Sequence, residues 1–225
     1  MKRHITAFTA ALTLLVGPAL AADAIDIRTW KLDQTGRDGW SVKKLIGTKA
    51  FGPNRNKVGT VENLIFSPDG KVLKVIVTTG GFLGIGDTPL AVNWNDVKIG
   101  PNVGYVNTPL TAASVEKYGL FDGMPDQVAI EPRNWRASEL IGDYVNLHGG
   151  IHYGHVRDLI ISKEGELKAV IVGPTVGWGG HGHYDYYAYP FYGYGYGWNP
   201  GHDYYDLPYG KTDIADLLPY AYSKR

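Results

Sequence analysis

Cysteine is absent from all 225 residues. No disulfide can staple the fold, no thiolate can act as nucleophile or metal ligand, and no thioether lipid anchor can form. A chain of this kind is held by hydrophobic burial alone, which suits units of roughly 80 residues or more. An excess of either charge is missing too, since 22 Lys and Arg face 22 Asp and Glu. That balance gives no electrostatic ground for a nucleic acid or an anionic membrane surface as partner. The catalytic patterns G-x-S-x-G and H-E-x-x-H do not occur, and no acid–base constellation can be named. The glycine-rich stretch 80–86 has neither G-x-G-x-x-G spacing nor Gly-Lys-Ser/Thr, and reads as a mobile or tightly curved barrel loop.

Long hydrophobic runs are confined to the N-terminus. Lys2 and Arg3 precede an apolar stretch over 5–16, and Ala19-Leu20-Ala21 supplies a small-residue cleavage site. This is the pattern of a secretory signal peptide over 1–21, with the cut expected after Ala21. Pro18 and a run well short of ~20 residues oppose a membrane anchor. No second run is long enough to span a bilayer, so the mature chain is expected to have no transmembrane segment and to be periplasmic or secreted. Without Lys2 and Arg3, 20 basic residues remain against 22 acidic ones, a formal charge of −2.

What is present is a segment written twice. Residues 44–77 and 139–172 align at a constant offset of 95, and 12 of the 34 aligned pairs are identical. The shared residues are Leu45, Ile46, Gly47, Gly59, Val61, Leu64, Ile65, Ser67, Gly70, Val75, Ile76 and Val77. Almost all are apolar or glycine, the types that fill a core or permit a turn, so the repetition preserves a fold and says little about chemistry.

Within each copy an apolar run leads to a turn and a β-branched return. In the first, 58–66 is followed by Ser67-Pro68-Asp69-Gly70 and then by 71–79; proline presets one φ and glycine accepts a positive one. Residues 90–94 read as a further strand and 111–117 as a short helix. In the second copy 151–161 is a strand, Ser162-Lys163-Glu164-Gly165 the turn and 166–172 the return. Thr212 is expected to cap a short helix ended by Pro219. Short strands punctuated by glycine and proline indicate an all-β protein, and curling each small sheet into a barrel limits its exposed edges. The expected organisation is a flexible leader over 22–39, a barrel over 40–118, a linker over 119–134 and a second barrel over 135–222. Packing of the two barrels against each other is expected, because each small core gains from burying a face.

The order Lys44-Leu45-Ile46-Gly47, Val58-Gly59-Thr60-Val61-Glu62-Asn63-Leu64, Val75-Ile76-Val77, the glycine-rich 80–87 and Val92-Asn93-Trp94-Asn95-Asp96-Val97 resembles the PRC-barrel family. The second copy is similar from 139 to 172 and again near Thr212-Asp213-Ile214. Asn93 stands where the family pattern has proline, and no tryptophan precedes Thr212. The resemblance implies two tandem small β-barrels, each an interaction module with no shared catalytic residues. The family occurs in a photosynthetic reaction-centre subunit and in a ribosome-maturation factor.

Aligning Asp96-Val97 with Asp213-Ile214 raises the offset from 95 to 117, so 22 extra residues are expected inside 177–209. That stretch holds ten of the 16 tyrosines, interleaved with glycine. Tyrosine offers large contact area with few torsions to freeze, and Tyr/Gly mixtures make adaptable recognition surfaces; a low-complexity stretch folded over its own barrel has the same composition. Trp178, Tyr186, Tyr187, Tyr192, Tyr194 and Trp198 are the candidate partner contacts. Two histidine groups, His148/His152/His155 and His181/His183/His202, are weak candidates for zinc, copper or nickel; solvated or tyrosine-bonded histidines are the competing reading. The first copy has Pro53, Lys57 and Thr60 at the positions of the first group, so the barrel does not itself require histidine there. The function expected from all this is a non-catalytic exported scaffold with a protein partner in the cell envelope and no cofactor. The alternatives are a periplasmic metal-binding protein and a hydrolase with an unrecognised site.

Overall fold

The computed structural model describes residues 24–80, 87–111, 133–175, 177–178 and 185–221. The signal segment, the glycine-rich stretch 81–86, the expected helix beyond residue 111, most of the 119–134 linker, and His181 and His183 lie outside them. The described residues form two antiparallel-rich sheets. The first joins β2 (Lys49–Phe51), β3 (Lys57–Phe66), β4 (Val72–Gly80), β5 (Asp87–Asn93), β6 (Lys98–Ile99) and β7 (Tyr105–Asn107) in the order β5-β4-β3-β2-β7-β6. The second joins β9 (Tyr144–Leu147), β10 (Ile151–Ile161), β11 (Leu167–Pro174), β12 (Tyr187–Tyr189) and β13 (Tyr204–Asp206) in the order β12-β11-β10-β9-β13. The fold is all-β, as the β-branched runs and turn signals indicate.

The turns form for the reasons visible in sequence. Gly70 and Gly165 adopt φ of 82° and 86°, a region that costs an L side chain about 1–2 kcal/mol. The Ser67 hydroxyl accepts from Lys71 N and bonds Asp69, and the Ser162 hydroxyl accepts from Glu164 N and Glu166 N. Each turn is thus tied by its own serine.

Irregularities fall at matching places in the two long strands. The β3–β4 ladder breaks register between Val61 and Asn63 and between Ile65 and Phe66. The β10–β11 ladder breaks between Val156 and Asp158 and between Ile160 and Ile161, each 95 residues later. A one-residue slip turns a strand over, so these shared bulges set which side chains enter the core in both sheets.

The two sheets are interlocked, not merely joined. β1 (Trp40–Ser41) leaves the first unit to pair with β10, Trp40 opposite Ile161. β8 (Trp135–Arg136) leaves the second unit to pair with β3, Trp135 opposite Phe66. The hairpin turns meet through Val72 N donating to Gly165 O and Leu167 N donating to Gly70 O, both at 2.8 Å. Every one of these contacts has its counterpart at the same offset of 95, an arrangement with approximate two-fold symmetry inside one chain. One core cluster runs through both units, taking Val61, Leu64, Val75 and Val92 from the first and Val145, Val156, Leu159 and Val172 from the second.

Tryptophans close the exchange. Trp135 is fully buried, stacks on Phe66 at 4.5 Å and meets Trp198 edge-on at 5.0 Å. Trp40 meets Trp94 edge-on at 5.9 Å. Trp198 therefore plays in the second unit the part Trp94 plays in the first. Trp198 lies well before Thr212, so the spacing of the first unit does not reveal it.

Three expectations are corrected. The leader is packed against the sheets: Ile27 joins the main core, and Leu32 sits with Ile160, Ala169 and Ile171. Asp33 caps α1 (Gln34–Arg37) by accepting from Gly36 N at 2.8 Å. The C-terminal helix is shorter and earlier than a Thr212 cap would give. It spans Lys211–Ile214, with Gly210 as N-cap and its N–H on Asp213 Oδ2 at 2.8 Å. Finally, 177–209 is not a 22-residue insertion beside the barrel. Val75 pairs Val92 and Val170 pairs Tyr189, so the offset has grown only from 95 to 97 at the next strand. The tyrosine-rich stretch supplies that strand, β12.

Candidate functional site

Most of the tyrosine-rich stretch is committed to the fold. Trp198 is fully buried, with its Nε1 donating to Asp143 Oδ2 at 2.7 Å, and Tyr187 is 7% exposed in the β11–β12 ladder. Both side chains are buried parts of the fold. Tyr186 packs on the small cluster around Leu32. Tyr192 stacks on Tyr196 and hydrogen-bonds Tyr209. Tyr194 lies under the Arg133 guanidinium, and Trp178 meets Tyr153 edge-on beneath Lys211. All four are half-buried.

Tyr189 donates from its buried hydroxyl to Tyr153 Oη at 2.8 Å. Burial pushes the Tyr153 phenol up to about 12 and holds Tyr189, Tyr205 and Tyr209 well above the ordinary phenol range. These are neutral, hydrogen-bonded core groups.

The most exposed aromatics of the second unit, Tyr144 and Tyr204, share a face that composition does not reveal. Tyr144 on β9 is 52% exposed and Tyr204 on β13 is 43% exposed. They are register partners in a parallel ladder, and Tyr144 is also paired with His155 on β10. Three neighbouring strands thus carry His155, Tyr144 and Tyr204 in one row. His152 joins the row, its ring 5.5 Å from Tyr144 and 5.8 Å from His155, and His202 stacks on Tyr204 at 5.3 Å. His148 sits in the exposed turn before β10, and its backbone N–H donates to Tyr209 O.

A bulge explains how His152 and His155 share a face. Side chains three apart on a regular strand point to opposite sides. The β9–β10 ladder shifts register between His152 and Gly154, leaving Tyr153 and Gly154 both inward. The first unit has the same shift, with Phe51 opposite Lys57 and Ala50 opposite Gly59. There the corresponding row is Lys57, Thr60, Lys49 and Tyr105. The scaffold offers this face twice; the position of Tyr105 and Tyr204 is aromatic in both units, and the second unit alone adds rings at the other three positions.

Asp143 borders the row and differs from an ordinary surface carboxylate. Burial pushes its pKa up to about 6, against the lowering bond from Trp198, while Asp203 and Glu139 raise it further and His202 lowers it. The folded state therefore holds this proton more tightly than the unfolded chain, and stability falls as pH rises through about 4 to 6. Asp143→Asn keeps an acceptor for Trp198 without the charge. It is expected to raise Tm at pH 7 and to leave it unchanged at pH 4, read by thermal melts across that range.

A groove of about 160 Å³ runs between α1, β1 and the β6–β7 turn, lined by Arg37, Trp40, Lys44, Val103, Ile160 and Tyr220. Its guanidinium is committed, since Arg37 donates to Leu32 O and Gln34 Oε1. The groove is a seam of the packed leader. Among the described residues no three His, Cys, Asp or Glu converge to hold a metal, and no helix is long and apolar enough to cross a membrane.

Two small barrel-like sheets, with helix among the described residues confined to single turns, define a small β-barrel module. Residues 38–111 match the family model of the PRC-barrel domain, and this stretch of the chain is a PRC-barrel domain. No curated protein matches the chain.

Proposed function

We propose that the protein is an exported, non-catalytic scaffold of the cell envelope, built from the PRC-barrel domain and a second barrel of the same design. Its contact surface is the row His152, His155, Tyr144 and Tyr204 rather than the tyrosine-rich stretch as a whole. The observation that carries this reading is the contrast between the two copies. Three equivalent positions on one scaffold hold Lys57, Thr60 and Lys49 in the first unit and the rings of His152, His155 and Tyr144 in the second, while the position of Tyr105 and Tyr204 is aromatic in both. Exposed aromatics that the fold does not need favour recognition of a protein partner, because rigid rings with polar tips lose little entropy on contact. Export is supported by the Lys2/Arg3, apolar stretch and Ala19-Leu20-Ala21 pattern.

A photo-crosslinking residue placed at Tyr144 and, separately, at Tyr105 in intact cells tests the surface. Discrete protein adducts from position 144 and none from 105 are expected. Equal yields from the two positions, or none from 144, would remove the assignment.

A further inference from the structure

We propose that His152 and His155 form a two-imidazole clamp for a late first-row divalent metal of the copper(II) or zinc(II) class. The shared bulge puts both rings on one exposed face, with centroids 5.8 Å apart. Two imidazoles on one metal at bond lengths of about 2.0–2.1 Å have ring centres roughly 5–6 Å apart, so the pair is spaced for a common ion. His155 Nδ1 lies 3.3 Å from Gly142 O. A carbonyl can only accept, so that nitrogen carries the proton and the Nε2 lone pair is left for a ligand. Metal-bound histidines are oriented in this way by a backbone carbonyl.

The Tyr144 ring lies 4.7 Å from His155 and 5.5 Å from His152 and forms the wall against which both imidazoles rest. It positions them. Since no third His, Cys, Asp or Glu converges there among the described residues, the remaining coordination positions belong to water or to an incoming group. Two nitrogens favour copper(II) over zinc(II) in the usual stability order. The clamp does not depend on the partner surface proposed above, and each can fail alone.

Titration of the tag-free full chain with CuCl₂ and with ZnCl₂ by calorimetry, with pulsed electron paramagnetic resonance of the copper form, tests it. The comparison variant is His152→Lys with His155→Thr, the residues the first unit already carries on the same bulge, so the fold is kept. One site per chain is expected, with two imidazole nitrogens in the spectrum and at least a tenfold loss of affinity in that variant. His181→Asn with His183→Asn is expected to keep the site. Wild-type affinity no greater than that of the Lys/Thr variant, or a site lost only with His181 and His183, would overturn the clamp.

Discussion

Trp135→Ala is expected to lower the free energy of unfolding by about 3–5 kcal/mol, the range for truncating a buried large aromatic. The substitution should loosen both units although Trp135 belongs by sequence to the second. Its indole stacks on Phe66, meets Trp198 and Phe191, and donates to Ser67 O at 3.0 Å. Phe66 and Ser67 are first-unit residues at the end of β3, while Trp198 and Phe191 come from the tyrosine-rich stretch. Removing the ring therefore opens a cavity where the exchanged strand enters, with little nearby that can collapse into it. Guanidinium denaturation followed by far-ultraviolet circular dichroism measures the loss. A change below about 1.5 kcal/mol, outside that range, would mean that the strand exchange contributes little.

The second large effect is expected at Asp158. Its side chain is 1% exposed, and its carboxylate accepts from Ser41 Oγ at 2.5 Å, Lys43 N at 2.9 Å and Leu159 N at 2.7 Å. Ser41 in turn caps α2 (Val42–Leu45) by accepting from Lys44 N. Asp158→Ala strands several donors at once and is expected to cost on the order of 3 kcal/mol. Asp158→Asn should cost much less, for a reason the molecule itself supplies. In the first unit the corresponding position is Asn63, which donates to Ser138 Oγ, accepts from Leu64 N and Ser138 N, and so serves α3 (Ala137–Leu140) in the same way. Equal losses for the two substitutions in chemical denaturation would show that charge, not the acceptor geometry, is what α2 requires.

The long strands were legible because Val72, Val75, Ile76 and Val77 and their counterparts Val170, Ile171 and Val172 combine β-branching with a glycine turn at fixed spacing. The repeat of 95 residues likewise foreshadowed the register, since equal spacing of core residues demands equal bulges. The exchange of Trp40-Ser41 and Trp135-Arg136 was not legible. Two-residue strands have no periodicity, and which sheet they join depends on a partner far away in sequence. Tyrosine misled for a related reason. A phenol is equally suited to a wet surface and to a buried hydrogen bond such as Tyr189 to Tyr153, so composition alone did not separate the buried Tyr187 and Trp198 from the half-buried Trp178, Tyr186, Tyr192 and Tyr194. The imidazole pair was visible as residue types only, because period-two counting separates positions 152 and 155 until the bulge is known.

That two sheets form one interlocked body is tested most directly by native-state hydrogen exchange under rising denaturant. The amides of β3 and β4 and those of β10 and β11 should merge into one opening reaction with a common free energy and a common denaturant dependence. Exchange of β10 and β11 through a separate opening, while β3 and β4 stay protected, would contradict the strand exchange and the shared core.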